Sequence, residues 1–169
     1  DFIIKPAYSI SIVQDYINIG NQTNMSFTFK DADVDATYNY SIDDTDETTQ
    51  AVTGSGTISK ATDRISNIDV SSLDDDTLTL IVYLTDTAGN QGSDVTDTVE
   101  KDTVAPTVIL IDNDDDNLVK EHDQVRITAI FNESMADTPK ISINNGGVSN
   151  VNMTMDGDNK TWIYDWTVP

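Results

Sequence analysis

The sequence has no cysteine, a single histidine, and only nine lysines and arginines against thirty aspartates and glutamates. Without cysteine there is neither a disulfide framework nor a thiolate metal site, so stability has to come from packing and hydrogen bonds, with ions as an optional further source. The one histidine, His122, lies inside an acidic loop and reads as a surface residue. No nucleophile elbow, P-loop or histidine-rich metal motif is present, so the chain offers no catalytic constellation and is expected not to be an enzyme. Paired carboxylates could serve glycoside hydrolysis, but in so acidic a chain some pairs at about 5–9 Å arise by chance. The formal charge of -21 repels nucleic acid and anionic membrane surfaces, which leaves cations as the favoured partners. No run of eighteen apolar residues occurs, and no basic leader precedes an apolar stretch; nothing here is expected to insert in a membrane, and an export leader would lie outside this stretch.

What is present is strand. The 169 residues are 37% apolar, enough for the core of a thin sandwich. Helical periodicity is nearly absent, and short alternating runs recur between Asp, Asn, Gly and Thr clusters, which is the pattern of an all-β protein. Seven strands are expected in the first hundred residues: "YSISIV" (8–13), "MSFTFK" (25–30), "TYNYSI" (37–42), a weak one near "GTIS" (56–59), "RISNIDV" (64–70), "LTLIVYLTD" (78–86) and "SDVTDTVE" (93–100). That number over that length predicts an immunoglobulin-like pair of antiparallel sheets. Met25, Phe27 and Phe29 share one strand face, as do Leu78, Leu80, Val82 and Leu84, so these two strands should carry the core.

The pattern repeats at an offset of about one hundred. Pro6 maps to Pro106, and Met25, Phe27 and Phe29 map to Val125, Ile127 and Ala129; one residue further on, "TYNYSI" at 37 aligns with "TPKISI" at 138. Two tandem immunoglobulin-like sandwiches follow, 1–104 and 105–169, the second expected to lack its last two strands. "DTAGNQG" then becomes the turn before the last strand of the first unit, and "KDTVAP" a short ordered linker whose proline suits the entry to an edge strand.

With the repeats delimited, "ATYNYSI", "VTGSGTI", "LTLIVYLTDTAGNQGS", "VEKDTVAPTVIL", "ITAIFNESM" and "TWIYDWTV" resemble the bacterial immunoglobulin-like repeats of very large cell-surface adhesins, in particular gliding-motility adhesins. The junction "LTDTAGN…KDTVAPT" is the most specific part of the likeness. The resemblance implies an extracellular filament of tandem sandwiches, stiffened by calcium, whose partners are neighbouring repeats and, at its adhesive end, surface glycans or a substratum. Gliding or surface attachment would be its purpose. The competing reading is a calcium-dependent carbohydrate-binding module of a secreted protein, and a more distant one is an accessory domain of a secreted enzyme.

Calcium takes six to eight hard oxygen ligands, and clustered loop carboxylates supply them. In the immunoglobulin topology the loops after strands one, three and five share one end of the sandwich, and those after two, four and six share the other. At the first end lie Asp74, Asp75, Asp76 and the linker's Asp102, expected to act with Glu133 of the second unit as a cluster between domains. At the other end Asp31, Asp33 and Asp35 are expected to meet Asp86 and Asn90. The alternative for all of them is solvated loop surface. A further loop, "DNDDDNLVKEHD", places Asp112, Asp114, Asp116 and Asp123 at positions 1, 3, 5 and 12 of the EF-hand spacing. Asn117 in place of glycine, an Asp at the last position and a preceding strand argue against a true EF-hand and leave a looser ion-binding loop as the expectation. Trp162, Tyr164 and Trp166 alternate on one strand face, where they form either the core of the second unit or an exposed platform for sugars.

Overall fold

The computed structural model describes residues 8–46, 49–115 and 118–169. Among the described residues there is no helix: the all-β expectation holds, and every named strand pairing is antiparallel. The chain divides into two units, Asp1–Val104 and Ala105–Pro169.

The first unit contains β1 (Ser9–Ile12), β2 (Met25–Lys30), β3 (Thr37–Asp43), β4 (Val52–Thr57), β5 (Arg64–Ile68), β6 (Thr77–Thr85) and β7 (Val95–Glu100). They form two sheets, of order β1-β2-β5 and β4-β3-β6-β7. Alternation decides which side chains meet between them. Met25, Phe27 and Phe29 of β2 are buried, as are Leu78, Leu80, Val82 and Leu84 of β6, with Ile42, Ile58, Ile68 and Val70 around them. Phe27 sits at the centre, edge-on to Phe29 with centroids 5.4 Å apart and to Tyr40 at 5.7 Å.

β4 lies earlier than the weak "GTIS" signal suggested, because its sequence VTGSGT has few apolar residues to announce it. Its glycines have a packing reason. Gly54 pairs with Tyr40 and Gly56 with Tyr38, and a Cβ at either glycine would come within 2.5 Å of the facing tyrosine. The two rings occupy the space that side chains on β4 would need.

β7 runs alongside β1 in the parallel sense. The Tyr8 hydroxyl donates to the carbonyls of Val82 and Ser93, and the Ile12 amide donates to Asp97 Oδ2 at 2.8 Å. Further along, Ile17 forms a parallel bridge with Lys101, its amide donating to the Glu100 carbonyl and its own carbonyl accepting from the Asp102 amide, both at 2.9 Å. The chain therefore enters this unit near one pole and leaves it at the other.

The second unit contains β8 (Val108–Asp112), β9 (Gln124–Phe131), β10 (Lys140–Ile143), β11 (Val148–Asn152), β12 (Thr154–Asp156) and β13 (Asp158–Thr167). One sheet has the order β12-β13-β9-β8, and the other is the β10-β11 hairpin. Its pairing repeats that of the first unit. β9 lies between β8 and β13 as β2 lies between β1 and β5, and β10 pairs with β11 as β3 pairs with β4. Val168, buried just beyond β13, donates its amide to the Asp123 carbonyl, as Val70 beyond β5 donates to Gln22. One core cluster is small: Ala129, Met153 and Trp162, with Phe131, Met135, Ile141 and Tyr164 packed against them, and Val125 and Val168 are buried besides.

Trp162, Tyr164 and Trp166 lie on the core face of β13, opposite Ala129, Ile127 and Val125. Trp162 is 7% exposed and its indole N–H donates to the Asn159 carbonyl, while that of Trp166 donates to Gly146. Of the two expectations for this aromatic row, core packing is the one observed.

Candidate functional site

At one pole of the first unit the loop after β3 (44–51) meets the loop after β5 (69–76), as the topology requires of loops leaving strands three and five. Asp44, Asp46 and Asp74 bring carboxylate oxygens within 4.8 Å of one another. Asp44 is the anchor: it is 4% exposed, and its Oδ2 accepts from Thr49 Oγ1 at 2.7 Å and from the Asp74 amide at 2.9 Å. The last bond ties the two loops together. Asp46 and Asp74 are exposed and complete the group. The donor set fits a hard divalent cation: all three ligands are anionic oxygens, and two ligands on one calcium at about 2.4 Å can be no more than about 4.8 Å apart. Water would fill the remaining positions.

Of these three, Asp74 is among the ligands expected from the sequence, and Asp44 and Asp46 are not. The signal was there. "IDDTDE" is an acidic run directly after the third strand, at the same end of the sandwich as "SSLDDD".

The three neighbouring acids expected to act together separate. Asp75 turns toward Lys101, a buried lysine 5% exposed whose Nζ donates to Asp75 Oδ1 at 2.9 Å and to the Leu73 carbonyl at 2.8 Å. The other oxygen, Asp75 Oδ2, accepts from the Thr103 amide and hydroxyl, each at 2.8 Å. Partial burial raises the carboxyl pKa, but the hydrogen bonds from Lys101 and Thr103 outweigh it and hold Asp75 below the usual carboxylate range. This carboxylate pins the end of β7 and the start of the linker to the loop after β5. Asp76 caps its own strand, accepting from the Thr77 amide at 2.6 Å. Asp102 accepts from the Val104 amide in the linker. Glu133 belongs to the second unit, where its Oε1 is buried without a hydrogen-bond partner.

At the opposite pole Asp31 and Asp35 adopt positive φ (61° and 69°) in the turn after β2, and the Ala36 amide donates to the Asp33 carbonyl. Asp86 and Asn90 close a turn of their own. Asp86 Oδ1 accepts from the amides of Ala88 and Asn90, its Oδ2 accepts from the Asn90 side chain at 2.9 Å, and Gly89 supplies the positive φ of 91°. The Asn90 side-chain bond, followed by the turn amides, lowers the Asp86 pKa. Among the described residues, these acids do not join those of the loop after β2 in a metal-holding group.

In the second unit Asp112 Oδ1 accepts from the Asp114 amide, and Asp123 Oδ2 accepts from the Lys120 amide. Asp116 and Asn117 lie outside the described residues. His122 is exposed, at a positive φ of 72°.

The depressed carboxyls give a pH prediction. A carboxyl whose pKa is lower folded than unfolded adds stability above its unfolded value, near 3.9, and loses it as pH falls through the folded value. The melting temperature of the first unit should therefore hold from neutrality to about pH 5 and fall steeply below about pH 4. Asp75→Asn should flatten that fall in a thermal series from pH 7 to 2.5.

Comparison with known proteins finds no matching family model and no matching curated protein. Among solved structures the chain is similar to a tetra-tandem repeat in the extending region of a large adhesion protein, with 17% identity and a TM-score of 0.44. The match covers 73% of this chain and 30% of that one. Identity and score are too low to carry a function across.

Proposed function

We propose that the chain is a load-bearing stretch of the stalk of an extracellular bacterial adhesin, its first unit braced by calcium. The observation that carries this reading is the parallel course of β1 and β7, continued by the Ile17–Lys101 bridge. Tension applied to the two ends of the unit slides these segments past each other and loads their hydrogen bonds together, instead of peeling them one at a time. A unit whose ends leave at opposite poles can be joined in series, and a second unit of the same pairing pattern suits a tandem repeat protein. The sequence likeness at "LTDTAGN…KDTVAPT" supports the surface location. The carbohydrate-binding reading loses its platform, since Trp162 is part of the core.

Calcium at Asp44, Asp46 and Asp74 would clamp the loop after β3 to the loop after β5, close to the Asp75–Lys101 pair that holds the exit strand. An ion that binds only the folded unit stabilises it by RT ln(1 + [L]/Kd), about 2.7 kcal/mol at a hundredfold excess over Kd. Differential scanning calorimetry of the full chain in calcium and in chelator should show the first unit's transition move upward by several degrees with calcium. Asp44→Asn should abolish that shift. An equal transition in both conditions would remove calcium from the account, and single-molecule stretching in which the first unit yields without a resolved force peak would remove the stalk.

A further inference from the structure

The outer face of the four-stranded sheet in the first unit carries a groove that neither the acidic group nor the β1–β7 contacts use. Alternation sends Tyr40, Ile42, Leu80 and Val82 into the core, so their neighbours on β3 and β6 point out. Register then lays two rows of outward side chains across the strands. Ser55, Asn39 and Tyr83 make one row, and Thr53, Ser41 and Ile81 make the next. The short side chains on β4 and β3 leave a recess beside the taller Tyr83 and Ile81 of β6. Asp94, one residue before the Val82–Val95 pair, flanks Tyr83 from the other side, and Gln91 of the same connection completes the lining. The groove measures about 450 Å³, within the range of small-ligand sites.

The polar side chains of this groove are uncommitted. Elsewhere in the unit the chain uses such groups itself: Asn18, Asn21, Asp63, Asp75 and Asp86 each accept from a backbone amide. In the groove, among the described residues, the side chains of Asn39, Ser41, Ser55, Tyr83, Gln91 and Asp94 have no hydrogen-bond partner in the chain. They offer two amides, three hydroxyls and a carboxylate, so a partner must both donate and accept at several points. It must also present an apolar face to Tyr83 and Ile81. Anions are repelled by Asp94 and by the charge of -21, and one carboxylate is too few for a hard cation. A peptide strand needs an open edge, but β3 and β6 are each paired on both sides, so this face offers it no backbone groups. An uncharged sugar meets every condition: its hydroxyls donate and accept, and the C–H face of its ring packs on an aromatic one. We infer that the groove is a lateral binding site for an uncharged oligosaccharide, with Tyr83 as the stacking ring and Asn39 and Asp94 holding hydroxyls on either side of it. The site needs no ion and is separate from the aromatic row of β13. Nothing in it rests on the stalk reading, since the whole face belongs to one unit.

The test is titration of the full chain with neutral trisaccharides of glucose, mannose, galactose and N-acetylglucosamine, and with a uronic-acid trisaccharide for contrast, followed by saturation-transfer nuclear magnetic resonance. At least one neutral trisaccharide should bind saturably, with the same affinity in calcium and in chelator, and the acidic one should not bind. Tyr83→Ala and Asn39→Ala should each weaken binding at least about tenfold, since each strands hydroxyls or an apolar ring face of the bound sugar. Asn39→Ala should leave the melting temperature of the first unit nearly unchanged, which separates loss of the site from loss of the fold. Thr98→Ala, on the same sheet face but outside the groove, should alter neither binding nor melting. Absence of saturable binding to all four neutral sugars would overturn the assignment. Binding that requires calcium, that prefers the acidic sugar, or that survives both substitutions would overturn it equally.

Discussion

Phe27→Ala should destabilise the first unit by about 3–5 kcal/mol, the range for deleting a buried phenylalanine. In a unit of about one hundred residues that lowers the melting temperature by roughly 15–30 °C. Phe27 is fully buried on the middle strand of its sheet and meets Phe29 and Tyr40 edge-on, so its removal takes away apolar area and the support of two other rings at once. Both tryptophans, Trp162 and Trp166, are in the second unit, and all the tyrosines but Tyr164 are in the first, so tryptophan fluorescence follows the second unit and tyrosine ellipticity mainly the first. Ile81→Ala is the contrast. Ile81 is on the same β6 as Leu80 but faces outward at 39% exposure, and its loss should cost less than about 1 kcal/mol. Equal losses from the two substitutions would mean that the sheets do not pack on the faces described.

The second large effect is expected at Asp75. Asp75→Ala leaves the Lys101 ammonium buried against the Leu73 carbonyl without its carboxylate, and frees the Thr103 amide from the loop. Breaking a buried pair by removing one partner costs about 3–5 kcal/mol. The outer part of Asp75 is in contact with water, its side chain being 28% exposed, so about 2–4 kcal/mol is the expectation here. Much of that is the burden of the stranded charge, and Lys101→Met in the Asp75→Ala background should recover most of it. Because both Asp75 oxygens are used by protein donors, the loss should be the same in calcium and in chelator. A loss seen only in calcium would assign Asp75 to the ion instead of to Lys101.

Much of the first unit could be read from the chain because its core strands announce themselves. "MSFTFK" and "LTLIVYLTD" alternate cleanly, and burial follows that alternation residue by residue. β4 was harder to place: its two glycines are there to make room for Tyr38 and Tyr40, a tertiary reason that leaves no apolar periodicity in VTGSGT. The acidic group of Asp44, Asp46 and Asp74 is half legible. Topology correctly brings the loops after β3 and β5 together, but which of Asp74, Asp75 and Asp76 faces Asp44 depends on where Lys101 lies, and an isolated lysine at the end of a polar strand gives no sign that it will be buried. The turns at Asp31–Asp35 and Asp86–Asn90 show the same limit. Acids that look like ligands in a sequence also serve as acceptors for the amides of their own turn, and only the backbone conformation distinguishes the two uses. The aromatic row at Trp162, Tyr164 and Trp166 was legible as one face; its burial followed from the packing of Ala129 and Met153 against it.

The most direct test of the proposed role is the direction dependence of mechanical strength in the first unit. Single chains are stretched in calcium either from its two ends, which shears β1 against β7 and the Ile17–Lys101 bridge, or from two attachment points at the same pole, which peels the strands apart. Rupture is governed by the unfolding rate under load. Shear should give a well-resolved force peak, releasing about 300–320 Å of contour length, less the unit's folded end-to-end distance, from roughly ninety residues at about 3.3–3.6 Å each, and peeling a markedly lower force. Equal and low forces in both directions would contradict the proposed role.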